Sequence, residues 1–153
     1  MFYMNDLEKV HAMIYGHAIG DALGVPVEFE TREELAANPV TDMRGFGEHD
    51  VPEGTWSDDT SMTLAFMDSL IRLGRIDYAD IMDNFVRWVN EAKFTATGEL
   101  FDIGRGTRQS LVKYWKGVSP LECGGQSDGD NGNGSLMRIA PLALYLYAKH
   151  GIG

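Results

Sequence analysis

The sequence predicts a helical protein, and three observations support that fold class. Strict alternation of apolar and polar residues, the pattern typical of strands, is scarce among the 153 residues. Five segments instead carry apolar residues at helical spacing, and several follow a residue that can cap a helix. Stretches rich in glycine and proline separate these segments. We therefore expect helices joined by loops, some of them long.

Composition limits the class of protein. With 153 residues, of which 44% are apolar and 24% charged, the chain is long enough for one globular domain with a core. The net charge is −10, and the sequence has no cluster of Lys and Arg that could bind along a phosphate backbone. A nucleic-acid partner is therefore not expected. No apolar stretch reaches the about 18 residues of a membrane span, so no membrane partner is expected. The lone Cys123 and the lack of a signal-peptide pattern favour a reducing cytoplasm.

The first helix is expected to start at Asn5, because Glu8 three residues later completes the pattern of a capping box. An apolar face follows at helical spacing: Leu7, Val10, Ile14 and Ala18. The same helix carries a glycine at every fourth position: Gly16, Gly20 and Gly24. This stripe indicates the close approach of another backbone or a ligand, and simple close packing of helices explains it equally well.

The middle of the chain alternates loops with helices. Residues 25–55 are rich in proline and glycine and have few periodic apolar positions, which predicts one long ordered loop. A helix is then expected from Ser57 to near Gly74, and Asp77 is placed to cap a third. Asp102 is expected to open a fourth, which leads to Trp115.

The heptapeptide Gly54–Thr60 concentrates polar chemistry at a predicted helix start. Two adjacent carboxylates, Asp58 and Asp59, lie between Ser57 and Thr60. Carboxylate and hydroxyl oxygens are the ligands that a hard divalent cation such as Mg²⁺ accepts. The alternative is structural: Ser57 caps the helix, and the carboxylates complement its dipole. Judged on this heptapeptide alone, the structural interpretation is favoured.

The last part of the chain joins a glycine-rich stretch to an apolar segment. From Gly117 to Gly134 there are six glycines, both ends included. The stretch is either a flexible connection or a loop that wraps a ligand, and its composition favours the connection. Residues 135–148 are apolar on nearly every side, as in a buried helix, yet Gly153 is the last residue. We therefore expect the chain to be the front part of a larger fold, or to have this helix covered by a partner. The alternative is that the four preceding helices cover it.

Four motifs resemble those of the ADP-ribosylglycohydrolase family, which includes the dinitrogenase reductase activating glycohydrolase. In the family's order they are its opening motif, its first metal motif, its middle motif and its glycine-rich substrate loop: Gly20–Glu28, Trp56–Thr60, Asp102–Gly104 and Gly132–Arg138. Each is weak alone, but together they make a specific match over residues 16–142. The resemblance implies an all-α, multi-helix bundle, here truncated, with residues 1–153 as the N-terminal portion of a single domain.

The resemblance also implies an activity and a set of site residues. The family hydrolyses an N- or O-glycosidic bond at the anomeric carbon of ADP-ribose, using a pair of Mg²⁺ ions for which Mn²⁺ can substitute. Ser57, Asp58 and Asp59 match its first set of metal ligands, and Glu28 matches a loop glutamate that is catalytic or metal-linked. The catalytic set is then Glu28, Asp58 and Asp59. The substrate contacts implied are Asp21, Gly104, Asn133, Gly134, Ser135, Met137 and Arg138.

These residue types suit that chemistry. Two metal ions orient ribose hydroxyls and lower the pKa of a bound water. Glu28 is expected to act as general base, or as acid to the leaving group, unless it is an exposed loop carboxylate. Backbone N–H groups of a glycine-rich loop hold phosphate without many cationic side chains, which explains how an acidic protein binds a diphosphate.

One departure from the family pattern leaves the function open. Family members carry a second acidic motif late in the chain, whereas no Asp or Glu follows Arg138 here. The chain is a truncated product, a remnant that binds ligand without catalysis, or one half of a site that a second chain completes; we expect a homo-oligomer through the C-terminal helix. The leading interpretation is Mg²⁺-dependent removal of ADP-ribose from a modified target. The alternative is a catalytically inactive module that binds ADP-ribose or an ADP-ribosylated protein.

Overall fold

The computed structural model describes residues 5–151, and every regular element in that range is helical, which confirms the all-α class. The backbone divides into two compact units, one ending at Ser57 and the other beginning at Asp58. None of the described helices is long and apolar enough to cross a membrane. The helices are α1 (Asp6–Gly24), α2 (Arg32–Ala37), α3 (Asp58–Leu73), α4 (Tyr78–Glu91), α5 (Arg105–Trp115) and α6 (Ala140–His150). Short 3-10 turns lie at Val25–Val27, Pro120–Glu122 and Asn133–Ser135.

The first unit begins with α1, whose start is as predicted. The Glu8 N–H donates to Asn5 Oδ1 over 2.9 Å, and the Asn5 N–H donates to Glu8 Oε2 over 2.7 Å, so the capping box is complete. The predicted apolar face is only partly buried, because Leu7 is exposed. A Cβ on any of the three spaced glycines would meet no atom within 4 Å, so the predicted close packing against this stripe is absent from the first unit.

The long loop predicted for residues 25–55 was wrong in one part, because it contains α2. Thr31 Oγ1 accepts the Glu34 N–H over 3.2 Å, and the Glu34 carboxylate accepts the Thr31 N–H over 2.7 Å. This second capping box was readable in the sequence as Thr-x-x-Glu. The helix was missed because it has no apolar face: none of its residues is buried.

The second unit holds the main hydrophobic core, and its first two helices begin close to where the caps predicted. Helix α3 starts directly after Ser57 and ends before Gly74, which has φ +65°. The Asp77 carboxylate accepts the Asp80 N–H over 3.2 Å and caps α4. Helices α3, α4 and α5 supply the core: Met62, Ala65, Ile81, Phe85, Trp88 and Leu111.

Two helix starts in the second unit were predicted wrongly. Asp102 does not open α5, since it has φ +47° and the helix begins at Arg105 behind Gly104. The last helix begins at Ala140 rather than at residue 135, because Pro141 lacks an N–H and is tolerated only in a first turn. The expected burial of this segment is also incomplete: Leu136, Ile139 and Leu146 are 72%, 45% and 42% exposed.

Candidate functional site

In the first unit, Asp21 of α1 holds Ser57, the residue directly before α3. The Ser57 N–H is shared between the two carboxylate oxygens at 3.0 and 3.1 Å, and the Ser57 hydroxyl donates to Oδ1 over 2.7 Å. Ser57 is buried, with 8% of its surface exposed. These bonds join residues 36 positions apart. Asp21, for which the resemblance implies a substrate contact, thus binds both the backbone and the hydroxyl of Ser57.

The carboxylates that follow Ser57 lie in the first turn of α3. Asp58 is 5% exposed and Asp59 is half-buried. The unpaired N–H groups and the dipole of a helix start favour negative charge at this position, so the structural interpretation of the motif is consistent with the geometry. A buried carboxylate also needs hydrogen-bond donors or a cation. Carboxylate and hydroxyl oxygens are the ligands that a hard divalent cation accepts, so these side chains are chemically suited to Mg²⁺ or Mn²⁺.

Glu28 follows the 3-10 turn Val25–Val27 and is paired with a histidine. Its Oε2 lies 2.7 Å from Nε2 of His49, and the side chains of His49 and Glu28 are 20% and 34% exposed. Glu28 is therefore held in one place by a partner and is not a freely solvated loop carboxylate. The sequence reasoning missed His49, which lies 21 residues further along in an irregular segment. The sequence offered no other signal than its residue type, because the segment around His49 has no periodic pattern.

The glycine-rich loop is tied into the second unit. The Leu136 and Met137 N–H groups donate to the Asn133 carbonyl over 2.7 and 3.0 Å, which closes the 3-10 turn that contains Gly134 and Ser135. The Thr63 hydroxyl of α3 donates to the Met137 carbonyl over 3.5 Å. The loop is thus an ordered turn at its C-terminal end, as a ligand-holding loop requires.

Thr107 of α5 brings two of the predicted motifs together. A Cβ on Gly134 would lie 3.3 Å from Thr107 Oγ1, and a Cβ on Gly104 would lie 4.0 Å from the same atom. Thr107 is buried, so a bulkier residue at position 134 would press on a side chain that has little room to move. The middle motif and the substrate loop therefore meet at a residue that the sequence reasoning did not single out.

Arg138 lies against α3 and α4 within the second unit. Its guanidinium carbon is 5.0 Å from the centre of the Phe85 ring, and Nη1 lies 3.3 Å from the Met62 sulfur. Burial lowers the pKa of Arg138, and the negative charge of Asp58 opposes that shift. The side chain also borders a cavity of about 210 Å³. Apolar residues form most of its wall: Phe66, Ile76, Met82, Ile139 and Leu142.

The comparisons with known proteins agree with these motifs. The ADP-ribosylarginine hydrolase Tri1 of Pseudomonas putida (strain GB-1) is 36% identical over 139 residues, which are 91% of this chain and 36% of the relative. The ADP-ribosyl-[dinitrogen reductase] glycohydrolase of Rhodospirillum rubrum is 36% identical over 132 residues, 84% of this chain and 42% of the relative. The chain thus spans less than half the length of these relatives.

A solved structure agrees with the fold. It is described as an ADP-ribosylglycohydrolase-related protein complex and superposes with a TM-score of 0.68 at 37% identity, covering 85% of this chain and 40% of that one. A model of the ADP-ribosylglycohydrolase family matches residues 3–151, which is nearly the whole sequence. From this match, the relatives and the shared fold, we conclude that the chain belongs to the ADP-ribosylglycohydrolase family.

Proposed function

We propose that the chain supplies part of the active site of an ADP-ribosyl glycohydrolase, which removes ADP-ribose from a modified target by cleaving the bond at the anomeric carbon. The observation that carries this proposal is the buried Ser57–Asp58 pair at the start of α3, because it sets oxygen donors at the edge of a packed core. ADP-ribosylated arginine is the substrate to test first, since relatives are named for its hydrolysis.

The cation site of this proposal consists of Ser57, Asp58 and Asp59. A divalent cation held there orients ribose hydroxyls and lowers the pKa of a bound water. The chain's own contribution is to hold Ser57 directly before α3 and the two carboxylates in its first turn, where the helix dipole favours the negative charge of Asp58 and Asp59.

Glu28 is the group we assign to proton transfer. Cleavage of a ribosyl bond develops oxocarbenium-like charge, and a carboxylate either takes a proton from the attacking water or gives one to the leaving group. His49 holds Oε2 of this carboxylate, and we assign the proton transfer to Oε1. Backbone N–H groups around the Asn133–Ser135 turn are assigned to the diphosphate, and Arg138 adds positive charge nearby.

The test is release of ADP-ribose. The chain is incubated with Mg²⁺ and an ADP-ribosylated arginine peptide, and free ADP-ribose is measured by chromatography. We expect release that a chelator abolishes and that Asp58→Asn/Asp59→Asn lacks. Glu122→Gln is the matched control, because Glu122 is exposed and lies outside all four motifs. Binding without release would favour the inactive module, and neither binding nor release would contradict both functions.

Glu28→Gln tests the proton-transfer role. We expect turnover to fall by about 10²–10⁴-fold with the fold intact, because the amide keeps the shape of the side chain and loses its ability to exchange a proton. Circular dichroism checks folding, and single-turnover release of ADP-ribose checks the rate, with Glu122→Gln again as the control. Unchanged turnover in Glu28→Gln would return Glu28 to a structural role beside His49.

A further inference from the structure

Asp21 stands in an unfavourable place for its own helix. It lies in the last turn of α1, which ends at Gly24 and contains no basic residue in that turn. The C-terminal end of a helix carries partial negative charge and favours cations, so a carboxylate there opposes the dipole. Residues that break such a local rule are found at functional sites, where another interaction offsets the cost. For Asp21 that interaction is with Ser57.

The hydrogen bond between Ser57 and Asp21 fixes the direction of the Ser57 hydroxyl hydrogen. The Ser57 hydroxyl has a single hydrogen, and the 2.7 Å bond to Asp21 Oδ1 uses it in a charge-assisted bond. A serine that ligates a cation does so through the lone pairs of this oxygen, not through its hydrogen. The bonds from the Ser57 N–H to the same carboxylate fix the backbone at the entry to α3. Asp21 therefore orients the Ser57 hydroxyl, and the charge-assisted hydrogen bond makes its oxygen more basic.

We propose that Asp21 is a positioning residue of the cation site: it holds the Ser57 hydroxyl with its lone pairs turned to a divalent cation bound by Ser57, Asp58 and Asp59. The inference rests on the proposed function, since it assumes that this motif binds a cation. It assigns Asp21 to the support of the metal motif, a role that the resemblance did not imply.

The experiment measures Mn²⁺ binding to the whole chain without substrate. Bound Mn²⁺ is counted by electron paramagnetic resonance for the wild type, Asp21→Asn, Ser57→Ala and the double variant. We expect Asp21→Asn to weaken binding about tenfold or more, since loss of a residue that orients a metal ligand has this effect. The double variant should bind no more weakly than Ser57→Ala, because Asp21 acts through Ser57. Asp6→Asn is the matched control, being an exposed aspartate on the same helix.

A second variant and a second readout keep the proposal testable if Asp21→Asn folds poorly. Asp21→Glu keeps the charge and moves the acceptor by one methylene, and we expect the same loss of affinity. Hydrogen exchange reports the Ser57 amide in the absence of metal, and its protection should fall in both Asp21 variants. Equal Mn²⁺ affinity in wild type and Asp21 variants, or additive losses in the double variant, overturn the positioning role alone. No Mn²⁺ binding by the wild type overturns it together with the metal part of the proposed function.

Discussion

Arg72 on α3 holds two carboxylates at once. Its Nε donates to Asp68 one turn earlier over 2.8 Å, and its two terminal nitrogens donate to both oxygens of Asp80 on α4 over 3.1 and 2.6 Å. Hydrogen bonds from Arg72 lower the pKa of Asp80. Burial acts to raise the pKa of Asp68, but hydrogen bonds from Arg72 and Asn84 outweigh it, so this pKa is lowered as well. The packing of α3 on α4 is therefore linked to pH.

The sign of the pH effect follows from these shifts. Both folded-state pKa values lie below the ordinary 3.8, so the stabilisation is fully present above pH 3.8 and is lost as the pH falls through the lowered values. We expect the free energy of unfolding of the wild type to fall more steeply below about pH 4 than that of Arg72→Gln. Urea denaturation between pH 7 and pH 3 measures it. Arg87→Gln is the control, since Arg87 forms only an exposed pair with Glu91; parallel curves for wild type and Arg72→Gln would exclude the linkage.

At the scale of elements, the segment that carries His49 is attached to the turn that precedes Glu28. The Glu48 N–H donates to the Pro26 carbonyl over 3.0 Å, and Gly47 lies so close that a Cβ there would overlap the same carbonyl. Only glycine permits this approach of two backbones. The hydrogen bond between Glu28 and His49 thus depends on a glycine that touches neither residue.

Gly47→Ala tests this attachment. The added methyl must push the segment away from Pro26, and we expect a loss of about 1–3 kcal/mol in the free energy of unfolding, the typical cost of overpacking. Gly16→Ala is the control, because its Cβ would meet no atom within 4 Å and alanine favours helix, so its stability should be unchanged or higher. Thermal unfolding measures both. Equal melting temperatures for Gly47→Ala and the wild type would contradict the close contact.

At the scale of the whole molecule, the apolar surface of α6 and the turn before it predicts self-association. Leu136, Ile139 and Leu146 expose apolar surface to water, and each such side chain forgoes about 1.5–3 kcal/mol of burial when fully exposed. Large exposed apolar patches mark interfaces, and we expect these side chains to form one. A second copy of the chain offers the same surface, and a two-fold symmetric contact would cover both.

We expect the apparent mass to rise with concentration in size-exclusion chromatography with light scattering. Leu136→Glu/Leu146→Glu should shift the chain to a monomer, because charges at both positions oppose burial of the surface. Ile71→Glu is the control, as it places a charge on an exposed apolar residue of α3. A wild type that stays monomeric at high micromolar concentration would contradict the interface.

The local features of this protein were predictable from its sequence. The caps at Asn5 and Asp77 and the start of α3 after Ser57 were predicted correctly, because a cap is decided by hydrogen bonds between residues about three positions apart. The start of α5 was predicted wrongly. Asp102 has a side chain that can cap a helix, but its backbone has a positive φ, whereas an N-cap residue is extended.

Tertiary structure decided what the predicted site residues touch. The sequence placed Asp21, Glu28 and Ser57 in family motifs but could not pair Asp21 with Ser57 or Glu28 with His49, because those pairs are 36 and 21 residues apart. Contacts at such separation depend on how helices and turns pack, and no periodicity along the chain encodes them. The sequence by itself thus determined the fold class, the starts of α1, α3 and α4, and the family motifs. The fold alone decided which carboxylate holds Ser57, which histidine holds Glu28, and that Gly104 and Gly134 meet at Thr107, because packing brings distant residues within bonding distance.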